Sequence, residues 1–556
     1  MGLGDDHAGQ APLEPSETGR PDRQGIAPAV VRTASAAYAR PVRPTASASR
    51  PVPRRSALAG VLAAAVALGA AELAAGLLAG APSLVVAVGA RVVDTVPGPV
   101  ERQAIALLGT ADKPVLLGGV LVLSGVVGAL LGLLAARRFV LGAAVLVAFA
   151  ALGGAAALAD PQARGLPVLL VVEAGAVAGV GALWLLLRAA RAPVEPAAAT
   201  AGLDRRGFLR AAVAGAVVAA AGGLGGQLLE TRQRVGRLRA AVRLPRPVRA
   251  AAAAPAGASL EVAGLTPLYV PNARFYRIDT ALRVPQVDPA AWSLRVHGQV
   301  DRPYRLSYDE LLALPQVEAD LTIACVSNEV GGDLVGNARW LGVPLRTLLE
   351  RAGVRPGGTQ LLGRSVDGFT AGFPTETALR LEHAMVAVGM NGEPLPTDHG
   401  FPARIVVPGL FGYVSATKWL TGIELTDSSV DGYWIPRGWA KDGPVLTQSR
   451  IDVPARDSTV AAGPQVVAGV AWAPPRGIRA VEVRVDDGPW EPAELADPLG
   501  DDCWRQWRYR WTAAPGRHRL SVRATDGEGE VQTEQRAPVA PSGATGHHRR
   551  DVEVRA

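Results

Sequence analysis

The chain has 556 residues, a formal charge of +7 and 49% hydrophobic side chains, too long for one core and of a size for about three units. The arginines of its first 250 residues lie ahead of and beside apolar runs and in one linker, a distribution that suits anionic lipid and argues against nucleic acid as a partner. The two cysteines, Cys325 and Cys503, fall in different expected domains, which argues against a structural disulfide, and they make no CxxC, CxxCH or zinc spacing.

Residues 1–55 are rich in Pro, Ser, Ala and Arg and read as a disordered tail. Residues 56–226 read as a membrane part, with apolar runs at 56–80, 114–135, 139–159, 167–187 and 207–226, each near the roughly 20 residues that cross a bilayer. Between the first two runs, Arg91, Asp94, Glu101 and Arg102 mark an external loop or interfacial helix. Arg54 and Arg55, Arg137 and Arg138, and Arg188, Arg191, Arg205 and Arg206 all fall on one side if the runs cross in turn. By the positive-inside rule that side is cytoplasmic, and everything beyond 226 lies outside. The arginines from Arg232 to Arg249 run against that rule unless they rest on anionic head groups.

Two carboxylates, Glu72 and Glu173, fall within the runs and are candidates for transport or proton movement. None of the seven histidines lies in a run, so a bis-histidine haem is not expected there and electrons need a separate carrier, a cytochrome or one linked to quinone. The fifth run opens on Asp204-Arg205-Arg206-Gly207-Phe208-Leu209-Arg210, which resembles a twin-arginine export signal. A basic, Ala-rich and flexible linker is expected over 227–259.

From 260 to 445 the pattern is mixed α+β. Trp292 to Gly298 alternates like a strand, Ser307-Tyr308-Asp309-Glu310 opens a short helix with a capping box, a second helix is expected near 344–353, and Asn391-Gly392 is a hairpin turn. From 446 to 540 helices give way to period-two strands, with Val481, Val483 and Val485 and then Trp507, Tyr509 and Trp511 on one face, as in a β-sandwich. Residues 541–556 read as a tail.

The chemistry centres on Thr322-Ile323-Ala324-Cys325-Val326-Ser327-Asn328-Glu329-Val330-Gly331-Gly332. A free Cys beside Leu, Ile and Val is ordinarily a small buried hydrophobe. A thiol where a strand gives way to polar residues and Gly-Gly is also placed for a metal. Downstream come Gly336-Asn337-Ala338-Arg339-Trp340-Leu341-Gly342, then His399-Gly400-Phe401-Pro402-Ala403-Arg404, then Thr417-Lys418-Trp419-Leu420. In this order they resemble the molybdopterin-binding domain of the sulfite oxidase family.

That resemblance implies a multidomain chain: the helical membrane part, a mixed α+β molybdopterin-binding domain, and an immunoglobulin-like all-β sandwich that pairs subunits into a homodimer. It implies a molybdenum–molybdopterin cofactor with Cys325 as metal ligand. His399, Arg404 and Lys418 match the family's pterin and phosphate contacts, with Ser415 and Thr417 on the loop before Lys418. Asn272, Phe275, Tyr276 and Arg277 match its first cofactor-lining segment. Asp367 is a further candidate contact, although an Asp before Gly is ordinarily a turn residue. The family's active-site tyrosine falls near Tyr433 or Trp439. Two departures bear on substrate: Asn328-Glu329-Val330 stands where sulfite-oxidising members carry arginines, and Asp279-Thr280 stands where a His is usual. The expected activity is two-electron oxygen-atom transfer on a small, sulfur-containing molecule, with sulfite and a neutral sulfoxide both open. The competing reading is a cofactor-free membrane receptor that uses the same fold for binding.

Overall fold

The structure, a computed structural model, describes residues 53–97 except Ala79, a few positions between 100 and 108, and residues 111–190, 205–232 and 235–556. The first 52 residues of the expected tail lie outside the described residues. So do the side chains of Arg205, Arg206 and Phe208 in the export-like stretch.

The stretch expected as a membrane part contains α1 (Pro53–Leu77), α2 (Leu84–Thr95), α3 (Asp112–Arg137), α4 (Phe139–Leu158), α5 (Gly165–Ala190) and α6 (Arg205–Arg232). Among the described residues, α1, α3, α4 and α5 are long and apolar enough to cross a membrane, and α6 covers the fifth expected run with an apolar stretch at Ala212–Gly226. These helices are apolar on every side. Leu121, Val122 and Leu123 are consecutive and all exposed, an arrangement suited to lipid rather than water.

Small residues face inward. A Cβ on Gly60 would run into the Gly128 carbonyl oxygen, and one on Gly132 would run into that of Ser56. Lipid tails are as apolar as leucine, so association rests on such close backbone packing. α1 is the centre of the bundle, packed against α3, α5 and α6. The stretch expected as a loop or interfacial helix holds α2, whose N-cap Ser83 accepts from the Val86 amide.

A short helix, α7 (Val235–Ala241), leads out of the bundle. The expected flexible linker is instead bound to the domain beyond it. The Arg239 guanidinium donates to the carbonyls of Pro394 and Leu395, and the Val248 amide donates to Gln316 O. Arg249 bridges in parallel to Val317. Its composition is that of a spacer, but its backbone groups complete a sheet edge.

The α+β domain has two sheets. One contains β1 (Ser293–Gly298), β2 (Tyr304–Ser307), β5 (Gln360–Ser365), β6 (Thr370–Pro374) and β10 (Leu420–Thr426), in the order β2-β1-β10-β5-β6 with β1 and β10 parallel. The other contains β3 (Val317–Ala324), β4 (Val335–Pro344), β7 (Met385–Met390) and β8 (Glu393–Pro394) in sequence, with β9 (Arg404–Val406) also on β7. Short helices join them: α8 (Tyr308–Ala313) with the expected capping box on Ser307 and Glu310, α9 (Leu345–Ala352), α10 (Thr375–Arg380) and α11 (Gly412–Ser415). Asn391 and Gly392, both at positive φ, make the expected tight turn between β7 and β8.

The C-terminal domain packs the sheet β11 (Gln448–Val453), β13 (Gly463–Trp472), β17 (Arg505–Ala513), β16 (Glu494–Leu495) against the sheet β12 (Thr459–Ala461), β19 (His548–Arg555), β18 (Gly516–Asp526), β14 (Ile478–Val485), β15 (Glu491–Pro492). Val481, Val483, Trp507 and Trp511 are buried in its core. The stretch expected as a C-terminal tail ends in β19, which pairs with both β12 and β18. Val552 and Val554 point inward there, a period-two signal diluted by the charges around it.

Gly60→Leu should break the α1–α3 contact, because overpacking of a tight site costs roughly 1–3 kcal/mol or more. Gly118, where an added Cβ would meet nothing within 4 Å, should accept leucine. The expected result is a lower thermal midpoint in detergent for Gly60→Leu and an unchanged one for Gly118→Leu.

Candidate cofactor site

Cys325 is the first residue after β3, and residues 325–334 form the loop to antiparallel β4. The loop is pinned at several points. The Cys325 amide donates to Leu334 O at 2.9 Å, and Asn328 Oδ1 accepts the Leu334 amide at 2.8 Å. From the C-terminal domain, Arg450 donates to Gly332 O at 2.8 Å, and the His548 ring lies where any side chain on Gly331 would be. Cys325 is 9% exposed. Burial pushes its thiol pKa up, while hydrogen bonding from Ser327 and the Lys418 charge pull it down.

The three basic residues expected to act together converge. His399 ends a 3₁₀ turn, Arg404 opens β9, and Lys418 follows the loop after α11. Gly400 has φ +109°, and a Cβ there would lie 3.0 Å from Lys418 Cα, so only glycine admits this approach. Trp419, a non-glycine at positive φ, is held by its indole N–H donating to Thr397 O at 2.7 Å.

Arg404 is buried with its guanidinium over the Trp340 ring, 5.2 Å from the centroid, and donates to His399 O at 3.2 Å. Desolvation lowers its pKa to about 10. Lys418 Nζ donates to Asp279 Oδ2 at 3.0 Å and Asp398 O at 2.9 Å. Burial lowers its pKa to about 8, against the pull of Asp279. Burial lowers the His399 pKa to about 4 despite Asp398, with Arg404 and Lys418 acting in the same direction as burial. His399 is therefore a neutral imidazole near pH 7. Its Nε2 lies 3.1 Å from Asn272 O, an acceptor, so Nε2 carries the proton and Nδ1 presents a lone pair.

Among the described residues, His399 Nδ1, Arg404 Nε and Thr417 Oγ1 are buried with no hydrogen-bond partner. Thr417 Oγ1 lies toward Gly363 of β5, but the His399 acceptor and the Arg404 donor are neighbours, and leaving both bare is costly, about 1–3 kcal/mol each, unless a polar ligand meets them. No three His, Cys, Asp or Glu side chains converge as a metal cage among the described residues.

The other expected residues divide. Phe275 packs edge-on against Trp340 and His399 and stacks on Tyr276. Tyr276 is kept protonated by burial and by its nearness to Cys325. Asn272 reaches the site only through its carbonyl, since its side chain bonds Met390 O, Glu393 and Asn391. Ser415 Oγ donates to Phe411 O of its own turn at 3.0 Å. Asp367 caps its own turn by accepting the Phe369 amide, and burial raises its pKa. Tyr433 and Trp439 stand together in an aromatic cluster with Trp434 and Tyr413.

Sequence reasoning gave no binding role to the residue that joins the cations. Asp279 Oδ2 accepts from Lys418 and from Arg277, and Oδ1 accepts from Lys113 at the start of α3 at 2.9 Å. These cations hold its pKa well below the carboxylate range against the opposing effect of burial. Lys418 and Lys113 are 139 and 166 residues away from Asp279, so no motif spacing could reveal the group.

Comparison with known proteins bears on this basin directly. The family model described as the oxidoreductase molybdopterin binding domain matches residues 281–434. An uncharacterised oxidoreductase of Bacillus subtilis is 36% identical over 156 residues, covering 28% of this chain and 76% of that protein. The chain belongs to the molybdopterin-binding oxidoreductases. Mitochondrial sulfite oxidase of Rattus norvegicus is 29% identical over 325 residues, covering 50% of this chain and 59% of that protein, so the match spans little more than half of that relative. The sulfane dehydrogenase SoxCD of Paracoccus pantotrophus superposes with a TM-score of 0.46 at 23% identity, over 52% of this chain and 84% of that one.

In this molybdopterin oxidoreductase the bare acceptor and donor would suit a polar heterocycle, and Arg404 and Lys418 would suit its phosphate. The pKa of Lys418 carries a signed consequence. Its value of about 8 in the fold lies below the ordinary 10.5. Between those values the unfolded chain binds the proton and the native chain does not, so this group makes the cofactor-free fold more stable as pH rises through that window. Retention of the anionic cofactor should move the other way and fall as pH rises through about 8. Fluorescence of released pterin, followed from roughly pH 6.5 to about 9.5, between the ordinary histidine and lysine ranges, checks the second direction. Denaturation curves of cofactor-free protein over the same range check the first.

Proposed function

We propose that this oxidoreductase is anchored in the cell membrane by multiple spans and works outside the cytoplasm, transferring an oxygen atom to or from a small sulfur compound. One observation carries the reading: a pinned thiol, Cys325, stands near the buried cations Arg404 and Lys418 and near two buried polar atoms, His399 Nδ1 and Arg404 Nε, that have no protein partner. When bound, the molybdenum–pterin group supplies two-electron oxygen-atom transfer, for which a thiolate is a suitable protein ligand.

The chain's own residues bind and orient. Arg404 and Lys418 offer charge to the phosphate, His399 Nδ1 is open to a ring donor, and Phe275 and Trp340 wall the site with rings that exclude water. Ser327 stands beside the Cys325 thiol and favours its thiolate form. Tyr433 and Trp439 are proposed for the substrate side. The Cys325 loop bears the exposed carboxylate of Glu329, and Asn328 is committed to its own loop. With no cation among Asn328, Glu329 and Val330, a neutral sulfoxide suits this loop better than sulfite, since an oxyanion calls for cations.

The orientation is supported by which helix ends meet the catalytic domain. Lys113 at the start of α3 binds Asp279, and Glu72 near the end of α1 binds Arg283. Both positions are opposite the Arg137–Arg138 turn that the positive-inside rule puts in the cytoplasm. Glu72 also accepts from the Ser83 hydroxyl, so it serves as a docking group, which weakens the transport alternative. The remaining parts of the proposal are export by a twin-arginine route, an immunoglobulin-like C-terminal sandwich that pairs two subunits, and electron exchange with a separate cytochrome or quinone-linked carrier.

Protein matured in a molybdopterin-producing host should contain molybdenum and pterin, and a preparation with neither would end the proposal. Cys325→Ser should keep the pterin and lose at least the roughly 100-fold in turnover that even an outer-shell change costs at a metal site. Dimethyl sulfoxide and methionine sulfoxide reduction with a dye donor, against sulfite oxidation with a dye acceptor, measures both the loss and the preferred direction.

A further inference from the structure

Building on that functional reading, we infer that the membrane bundle completes the cofactor site, with Lys113 of α3 acting as a positioning residue that keeps the charge of Lys418 available to the cofactor phosphate. Lys113 never touches the basin. It acts through Asp279, and its geometry is specific: Nζ donates to Asp279 O at 2.8 Å, Asp279 Oδ1 at 2.9 Å and Ala281 O at 2.7 Å. An ammonium has three donors, and all are committed to one short segment of the catalytic domain.

Asp279 is 5% exposed at its side chain and is shared between two sides, with Oδ1 toward the membrane helix and Oδ2 toward Lys418 and Arg277. A carboxylate this close to Lys418 would otherwise cancel the charge that an anionic ligand needs, and in a site removed from water that cancellation is only weakly screened. Lys113, Lys418 and Arg277 against the single charge of Asp279 leave an excess of two positive charges beside the basin. Without Lys113 the excess is one. The amino-terminal end of a membrane helix thus balances a carboxylate that lies inside the cofactor domain. A catalytic domain detached from its bundle loses that balance.

The test is retention of molybdopterin by full-length protein in detergent, read as pterin fluorescence and molybdenum content per chain after gel filtration. Lys113→Met keeps the apolar stem and removes the charge, and it should retain several-fold less cofactor than the wild type. The double variant Lys113→Met with Asp279→Asn removes the opposing charge as well and should recover most of the loss. Retention by Lys113→Met at the wild-type level overturns the inference. So does a double variant that retains as little as the single one, because Lys113 would then serve domain docking alone. Wild-type protein without molybdopterin would instead fail the functional reading, and this inference with it.

Discussion

Everything in the catalytic half depends on holding cations out of water beside a thiol. Arg404 and Lys418 are almost fully buried, and desolvation lowers the pKa of both. Such groups are destabilising unless something negative answers them. Lys418 has a protein partner in Asp279. Arg404 has a carbonyl, an indole face and one bare N–H. The basin is thus built at the expense of the cofactor-free fold, in a form that an anionic heterocycle relieves.

The local backbone shows where that cost is met. Gly400 and Trp419 both take positive φ on either side of the cation loop, and Trp419 is held there by its bond to Thr397. Gly331 in the thiol loop leaves room for His548, so the C-terminal sandwich helps set the shape of a site that it does not line. Cys325, His399, Arg404 and Lys418 come from separate segments of one domain, and each segment is fixed by contacts made elsewhere. Such fixing by second partners is what keeps ligand groups within reach of their target.

The amino-terminal helical half follows a different logic. Its helices carry large apolar residues outward and small ones inward, the arrangement that lipid would call for, and close backbone packing stands in for a hydrophobic core. Its few charged groups are not spread at random. Glu72 and Lys113 sit at helix ends where Arg283 and Asp279 of the catalytic domain meet them. The two halves are therefore joined by ion pairs, one of which reaches the edge of the cofactor basin.

Much of this was legible in the order of residues because it depends on local pattern. Apolar length marks a helix that can cross lipid, period two marks the sandwich strands, and the capping box and Asn-Gly turn are short-range hydrogen-bond and φ preferences. The cysteine and the basic trio were legible through their order along the chain. What the pattern misjudged was backbone pairing over distance: the linker completes an edge of β3, and the charged C-terminal stretch closes a sheet. The cluster around Asp279 could not be read at all. Opposite charges attract wherever the fold brings them, and neither composition nor spacing records that a lysine at the start of a long apolar helix and a lysine beside the thiol share one carboxylate. Local patterning settles which segments are apolar, which alternate and which residue types can meet a cofactor. The tertiary structure alone decided which charges are neighbours and which polar atoms are left bare, because desolvation and Coulomb energy depend on distance in space.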